Sequence, residues 1–302
     1  MSDNTAMMIA AGGITAFMEV CVMHPLDVVK TCLQLQHSPV ARSTPKGVAQ
    51  YYYTGVVNCV RTVYRQESFL SLWKGVVPPV LIETPRRAMN FLLFENYEQH
   101  LLFGSETAKP LTYFTTGLCV GVTEAIVMNP FERVKVTLMA DRSPVEKAPS
   151  TWDVLKKIVS NKGYGVEGLN RGMSATIISH GIFNMVYFGV FKSLKSRLRP
   201  FSDETLYLFH IMGIGFAAGT LASIASNPFD VAKTRIQGPQ PEPGVRKYRS
   251  PLATVATIYR EERLRALFKG LLPRLLRRGV GSALMVAAYD YTYRYLTNGF
   301  SE

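Results

Sequence analysis

A proline followed two residues later by an acid and five residues later by a base occurs three times in this chain, as Pro25-Asp27-Lys30, Pro130-Glu132-Lys135 and Pro228-Asp230-Lys233. The prolines lie about a hundred positions apart, too far for a short solenoid repeat, so the chain reads as three tandem copies of one unit. The units divide at residues 1–105, 106–201 and 202–302. The rest of each unit keeps step. A small residue stands thirteen positions before each proline (Gly12, Gly117, Gly215) and another nine before it (Ala16, Gly121, Gly219). Such a small-xxx-small face lets helix backbones approach closely in lipid. A second landmark follows: Gly75, Gly172 and Gly270 each come after a base (Lys74, Arg171, Lys269). Twenty positions later stand Glu95, Lys192 and Asp290, each after an aromatic residue (Phe94, Phe191, Tyr289).

Composition alone leaves several classes open. A net charge of +12 and a pI near 9.6 suit nucleic acid, an anionic membrane surface or acidic ligands, and a mean hydropathy of +0.08 looks soluble. The distribution of charge decides otherwise. Met7 to His24 contains only Glu19 before its terminal histidine, Leu111 to Asn129 only Glu124, and Leu206 to Asn227 only His210. These runs are long enough to cross a bilayer. Basic residues gather between them, in Arg42 to Lys46, Lys156 to Lys162 and Arg246 to Arg265. A soluble nucleic-acid binder would have to bury all those runs in one core. No nucleophile, base and acid recur together at matching positions, which argues against an enzyme. Cys21, Cys32, Cys59 and Cys119 show no metal-ligand spacing and read as reduced thiols. Met1 to Asn4 lacks the Arg-rich, acid-poor character of a cleavable leader, so any targeting signal is expected to be internal.

The expected fold is therefore all-α and membrane-embedded. Long odd helices are expected at about 7–36, 111–139 and 206–237, and even ones at about 76–101, 173–198 and 271–296. Short connector helices fall near Gly55 to Glu67, Thr151 to Lys162 and Pro251 to Glu262. Val56, Val57, Val60 and Val63 share a face of the first, as in a helix lying in a membrane interface. Six spans in three two-helix units put both termini on one side, opposite the basic connectors.

Helical periodicity continues past Pro25, Pro130 and Pro228, so the prolines are expected to kink the odd helices toward a common axis. There Asp27 would meet Lys135, Glu132 would meet Lys233, and Asp230 would meet Lys30, closing a ring. At an effective dielectric of 20 and 4 Å, each pair is worth about 4 kcal/mol before dehydration cancels much of it. A contact of that kind suits a gate. On the even helices, Ile82-Glu83-Thr84-Pro85-Arg86-Arg87 would be costly against lipid and is expected to face an interior cavity. Pro85 alone would permit a loop there, but the equivalent segments Ile177 to Phe183 and Leu275 to Gly281 hold no proline.

These residues resemble the mitochondrial carrier family over the whole length, its P-x-[DE]-x-x-[KR] signature being present in all three units. The resemblance is strongest to its carriers of oxodicarboxylates. It is carried by His24 to Thr31, by Glu83-Thr84-Pro85 with Arg87, by His180-Gly181 with Phe183 to Gly189, and by Gln237-Gly238-Pro239-Gln240-Pro241. The family resemblance implies a six-helix barrel with threefold pseudosymmetry in the inner mitochondrial membrane, both termini toward the intermembrane space. It also implies solute exchange by alternating access, with the amphipathic connectors on the matrix side. The subfamily resemblance implies C5 to C7 oxodicarboxylates such as 2-oxoadipate and 2-oxoglutarate. Other readings are another small anion (citrate, an amino acid or a nucleotide) or a non-transporting membrane adaptor. Nucleotide carriers tend to have a Gly and an aliphatic residue where Ser179 and His180 stand. No cofactor or metal is expected. The expected partners are small dicarboxylates and inner-membrane lipids, cardiolipin among them, with no nucleic acid, and the expected assembly is a monomer.

The same resemblance assigns sites. The substrate-contacting heights, counted from the glycine landmark, hold Ile82, Ser179 and Arg277, then Glu83, His180 and Arg278, then Arg87, Asn184 and Ser282. Arg87 and Arg277 are expected to fork the two carboxylates. Arg86 or Arg278 could instead pair internally with Glu83. Ser179 departs from the arginine that oxoacid carriers tend to place there. The family's second base after the signature survives only as Arg235, being Cys32 and Thr137 in the other units. Its bracing glutamine is kept as Gln34 and Gln237 but is Met139 between them. A second gate is expected on the even helices, with Glu98 pairing with Lys192, Lys195 with Asp290, and Tyr293 donating to Glu95.

Overall fold

The computed structural model describes residues 2–36, 53–102, 109–141, 143, 148–198, 204–241, 246–281, 288 and 292. All regular structure among them is helical. Helix α1 is Ser2–Leu35, α2 Val56–Gln66, α3 Val77–His100, α4 Pro110–Ala140 and α5 Thr151–Lys162. Then follow α6 Met173–Lys195, α7 Glu204–Gln237, α8 Pro251–Glu262 and a helical segment α9 at 271–281. Two 3₁₀ turns, Phe69–Trp73 and Leu264–Phe268, which periodicity did not reveal, sit between connector and even helix in the first and third units. Pro25, Pro130 and Pro228 all lie inside helices, as does Pro85. Pro25 has no N–H to offer the carbonyl of Cys21, and Trp73 Nε1 donates to that oxygen at 2.8 Å instead.

The glycine landmark now has a physical reason. Gly75, Gly172 and Gly270 have φ of 73°, 81° and 77°, a region that penalises any side chain. Each is also closely packed. A Cβ at Gly75 would stand 3.3 Å from the Lys135 carbonyl on α4, one at Gly172 2.9 Å from Gln237 on α7, and one at Gly270 3.1 Å from the Lys30 carbonyl on α1. Each unit thus leans on the odd helix of the next, and the third returns to the first.

The small-residue face is used unequally. A Cβ at Gly117 or Gly121 would lie 2.5 Å from the backbone oxygen of Asn184 or His180, so α4 and α6 touch along their backbones. At Gly219 nothing lies within 4 Å, and at Gly215 only the Phe191 ring does, at 3.7 Å. The connector helices pack on the odd helices. Val28, Val29, Cys32 and Leu33 meet Cys59 and Val63 of α2; Val134 and Leu138 meet Val154 and Ile158 of α5; Val231 and Ile236 meet Ile258 of α8. Val57 departs from the expected face, being 80% exposed while Cys59 takes the buried position.

Polarity is inverted relative to a soluble bundle. Buried positions include Glu19, Asp27, Gln34, Glu83, Glu124, Asn129, Asp230 and Gln237, while Phe17, Leu92, Leu118, Ile126, Phe209, Phe216 and Leu221 are exposed. Among the described residues three helices are long and apolar enough to cross a membrane: Pro110–Ala140, Met173–Lys195 and Phe209–Gln237. Six were expected. Helix α3 falls short because it carries Glu83, Arg86, Arg87, Glu95 and Glu98.

Candidate functional site: a ring of ion pairs beneath an arginine layer

One helical turn or less beyond each proline, the acid of one odd helix meets the base of the next. Asp27 lies 2.7 Å from Lys135, Glu132 2.5 Å from Lys233, and Asp230 2.6 Å from Lys30. Gln34 Nε2 donates to Asp230 at 3.1 Å and so braces one pair. Gln237 does not touch the ring. Its Nε2 donates to Asn129 at 2.9 Å and to Thr176 at 3.2 Å, tying α7 to α4 and α6, because its side chain packs against Gly172 at the start of α6. Met139 accepts a weak bond from Thr31 at 3.3 Å.

A second charged layer lies on the even helices. Arg86 bonds Glu83 at 2.5 Å and Glu124 at 3.2 Å, the internal pairing considered above for it. Arg87 lies 2.6 Å from Glu19 and 3.4 Å from Glu83. Asn184 Nδ2 donates to Glu124 at 2.6 Å. Arg278 is stacked over Phe183, 3.8 Å from the ring centroid, with Arg274 at 5.4 Å from the same ring. Ser179 is buried, and Ser282 lies outside the described residues.

Three residues join the layers, Arg274 among them at 3.6 Å from Asp230. Arg277 Nη1 donates to Asp27 at 2.8 Å, so Asp27 holds a lysine from α4 and an arginine from α9 at once. His180 Nε2 is 3.0 Å from Lys233 and 3.1 Å from Glu132, and its Nδ1 is 3.4 Å from Glu124. Glu19 and Glu124 stand out in the sequence only as lone acids in apolar runs. That was the available signal, since an isolated ionisable group at such depth needs an interior partner. Taken together, the three ring lysines and five guanidinium groups (Arg86, Arg87, Arg274, Arg277, Arg278) stand with six carboxylates (Asp27, Glu132, Asp230, Glu19, Glu83, Glu124), a surplus of two positive charges.

At the far end of the even helices Glu98 meets Lys192 at 3.5 Å, and Lys192 also sits 4.8 Å above the Phe94 ring. Glu95 and Lys195 are exposed. Asp290 and Tyr293 lie outside the described residues, and with them the other two expected contacts.

Where α7 meets its connector helix, the third unit has a further lock. Arg235 grips Glu262 with both nitrogens, at 2.5 and 3.1 Å, and donates to the carbonyls of Gln34 and Gln36, each at 3.0 Å. Lys269 adds a bond to Glu262 at 2.6 Å. Burial works against the Glu262 charge, but Arg235 and then Lys269 outweigh it and hold the carboxyl down at about 2. The first unit has the simpler pair Lys74–Glu67 at 2.7 Å, and Lys74 also donates to the Ser143 carbonyl.

The triplicated unit has known counterparts. The family model described as Mitochondrial carrier protein matches residues 2–105, 106–202 and 204–300, and the chain belongs to that family, whose members are transporters. Among its relatives, the mitochondrial 2-oxodicarboxylate carrier of Pongo abelii is 46% identical over 95% of this chain and 93% of its own length. The protein of the same name from Homo sapiens is 45% identical over the same shares, and the mitochondrial citrate transporter D of Aspergillus niger is 33% identical over 95% of this chain and 93% of its own length.

Proposed function

We propose that this chain is an antiporter of the inner mitochondrial membrane that exchanges oxodicarboxylates of the 2-oxoadipate and 2-oxoglutarate type by alternating access, moving solute rather than performing bond chemistry. The observation that carries this reading is that Arg87 and Arg277 each already hold a carboxylate, Glu19 at 2.6 Å and Asp27 at 2.8 Å. The protein's own acids stand where the two ends of a dicarboxylate would bind. The surplus of two positive charges over the ring and that layer together matches one dianion. Arg278, Glu83, His180, Ser179 and Asn184 complete the proposed binding layer, and the resemblance of the whole chain to carriers named for 2-oxodicarboxylates supports the substrate class.

In this reading the architecture is six spanning helices with threefold pseudosymmetry, and the amphipathic connectors α2, α5 and α8 lie on the matrix side. Both termini face the intermembrane space. The ring of Asp27, Lys30, Glu132, Lys135, Asp230 and Lys233, with Gln34, is the matrix gate. Gln237 supports it from outside the ring. Glu95, Glu98, Lys192, Lys195, Asp290 and Tyr293 form the cytoplasmic gate. The carrier works as a monomer among inner-membrane lipids, cardiolipin included.

A tricarboxylate is the second reading, favoured by Arg278 adding a further guanidinium beside Arg277 and by the relative named as a citrate transporter. The test is uptake by purified protein in liposomes preloaded with dicarboxylates, tricarboxylates or nucleotides. Fast exchange of 2-oxoglutarate and 2-oxoadipate with little citrate movement is expected. Exchange of nucleotides without dicarboxylates would exclude the proposal.

A further inference from the structure

The three connectors end differently, and the difference exposes a site. Counting twelve residues from the helix caps Gly55, Ser150 and Ser250 gives Glu67, Lys162 and Glu262, and the residue after each has positive φ: Ser68 at 144°, Gly163 at 68° and Arg263 at 70°. The three positions are therefore structurally equivalent. In the first and third units the acid there bonds the base before the glycine landmark, Glu67 with Lys74 and Glu262 with Lys269. In the second unit the acid is replaced by Lys162, which is exposed.

The bases remain, without that acid. Arg171, the counterpart of Lys74 and Lys269, is 6% exposed, and its Nε and Nη2 are buried with no hydrogen-bond partner. Thr137 stands where the third unit has Arg235, yet Arg133, one turn earlier, reaches Thr137 at 3.1 Å and so brings a guanidinium back to the same place. Arg133 is 8% exposed and its Nε also lacks a partner. Arg246, arriving from the segment before α8, lies within electrostatic reach of both, and its Nε is buried and unpaired. Among the described residues Glu167 is an acid that reaches this group: its side chain is 75% exposed, and it bonds Arg246 at 2.9 Å and acts on Arg171. Burial and the Arg246 charge push the Arg171 guanidinium below its ordinary value.

Three guanidinium groups held together with bare donors are strongly unfavourable unless an anion joins them. We propose that Arg133, Arg171 and Arg246 bind a phosphate-class oxyanion at the connector end of α4, in the place a glutamate carboxylate takes in the other two units. A tetrahedral oxyanion offers acceptors in several directions, as donors from three separate segments require, whereas a carboxylate offers one plane. The partly exposed Arg246 and Glu167 leave a way in from the surface.

Thermal unfolding of the purified full chain in a zwitterionic detergent, with chloride exchanged for inorganic phosphate at constant ionic strength, tests this site. The midpoint should rise saturably, by about 3 °C at ten times the dissociation constant. Arg171→Gln should lose the rise and Arg277→Gln should keep it. Lys162→Glu, at an exposed position, supplies the missing carboxylate and should raise the midpoint in chloride while abolishing the response to phosphate. If the oxyanion belongs to a lipid headgroup, a short-chain anionic phospholipid will give the rise and free phosphate will not, with the same two variants losing it. A midpoint that moves with neither anion, or a rise that survives both Arg171→Gln and Lys162→Glu, overturns the proposal.

Discussion

The two ends of the helical bundle hold charge in different ways. On the connector side three acid–base pairs close at 2.5 to 2.7 Å, with Gln34 and Arg277 bonded into them. At the far end, the pair seen among the described residues is Glu98 with Lys192 at 3.5 Å, both partly exposed. Exposed pairs contribute little, whereas buried and cross-linked ones are costly to break. In the proposed carrier this is the form closed toward the connectors, and leaving it costs mainly the ring contacts. The proposed substrate layer is coupled to that ring through the shared Asp27.

Reversing one ring charge should have the largest effect on exchange. Asp27→Lys would set a third cation beside Lys135 and Arg277, and exchange in liposomes should drop at least about a hundredfold, roughly 3 kcal/mol. Adding Lys135→Asp should recover part of it, since coupled residues depart from additivity by about 0.5 to 3 kcal/mol. Recovery no greater than from an unrelated second charge change would dissolve the assigned pairing.

The lock under the ring is read in stability rather than in exchange. Glu262→Gln leaves Arg235 buried without its carboxylate and should destabilise the fold by about 3 to 5 kcal/mol in denaturant or thermal unfolding. The carboxyl is depressed from 4.5 to about 2, so its contribution is complete above pH 4.5 and lost as pH falls toward 2. The unfolding midpoint of the intact protein should fall through that window, and the fall should be shallower in Glu262→Gln. An identical pH profile in both would remove this carboxyl from the account.

The smallest effect belongs to the far end. Glu98→Gln should change stability and exchange by no more than about 1 kcal/mol, or about fivefold. A loss comparable to that of Asp27→Lys would make the two ends equals and erase the contrast.

Much of this was legible in the sequence because it repeats. The three signatures located the ring, and period and length placed five of the long helices and the connectors within about five residues; the helix expected at 271–296 is described over 271–281, the rest of its span lying largely outside the described residues. Charge depth was harder to read. Glu19 and Glu124 looked like interruptions of apolar runs, because nothing in a linear pattern says that Glu19 will face Arg87 across sixty-eight positions. The same blindness applied to Arg277, expected to wait for substrate and found on Asp27, and to Gln237, whose counterpart Gln34 braces the ring while it bonds Asn129 instead. Repeats also hide their exceptions. Only the three-dimensional equivalence of Glu67, Lys162 and Glu262 reveals that the second unit lacks an acid, since its loop to Arg171 is longer than the other two.

The central claim is that Arg277 exchanges an internal carboxylate for a substrate carboxylate. Its most direct test is the concentration dependence of 2-oxoglutarate exchange by Arg277→Ala and Arg277→Lys in liposomes, beside the intact protein. A lost charge-assisted bond is worth about 1.5 to 3 kcal/mol, so Arg277→Ala should weaken apparent affinity ten- to a hundredfold, and Arg277→Lys, which keeps charge but not the planar fork, should restore little of it. Unchanged apparent affinity in Arg277→Ala would contradict the account.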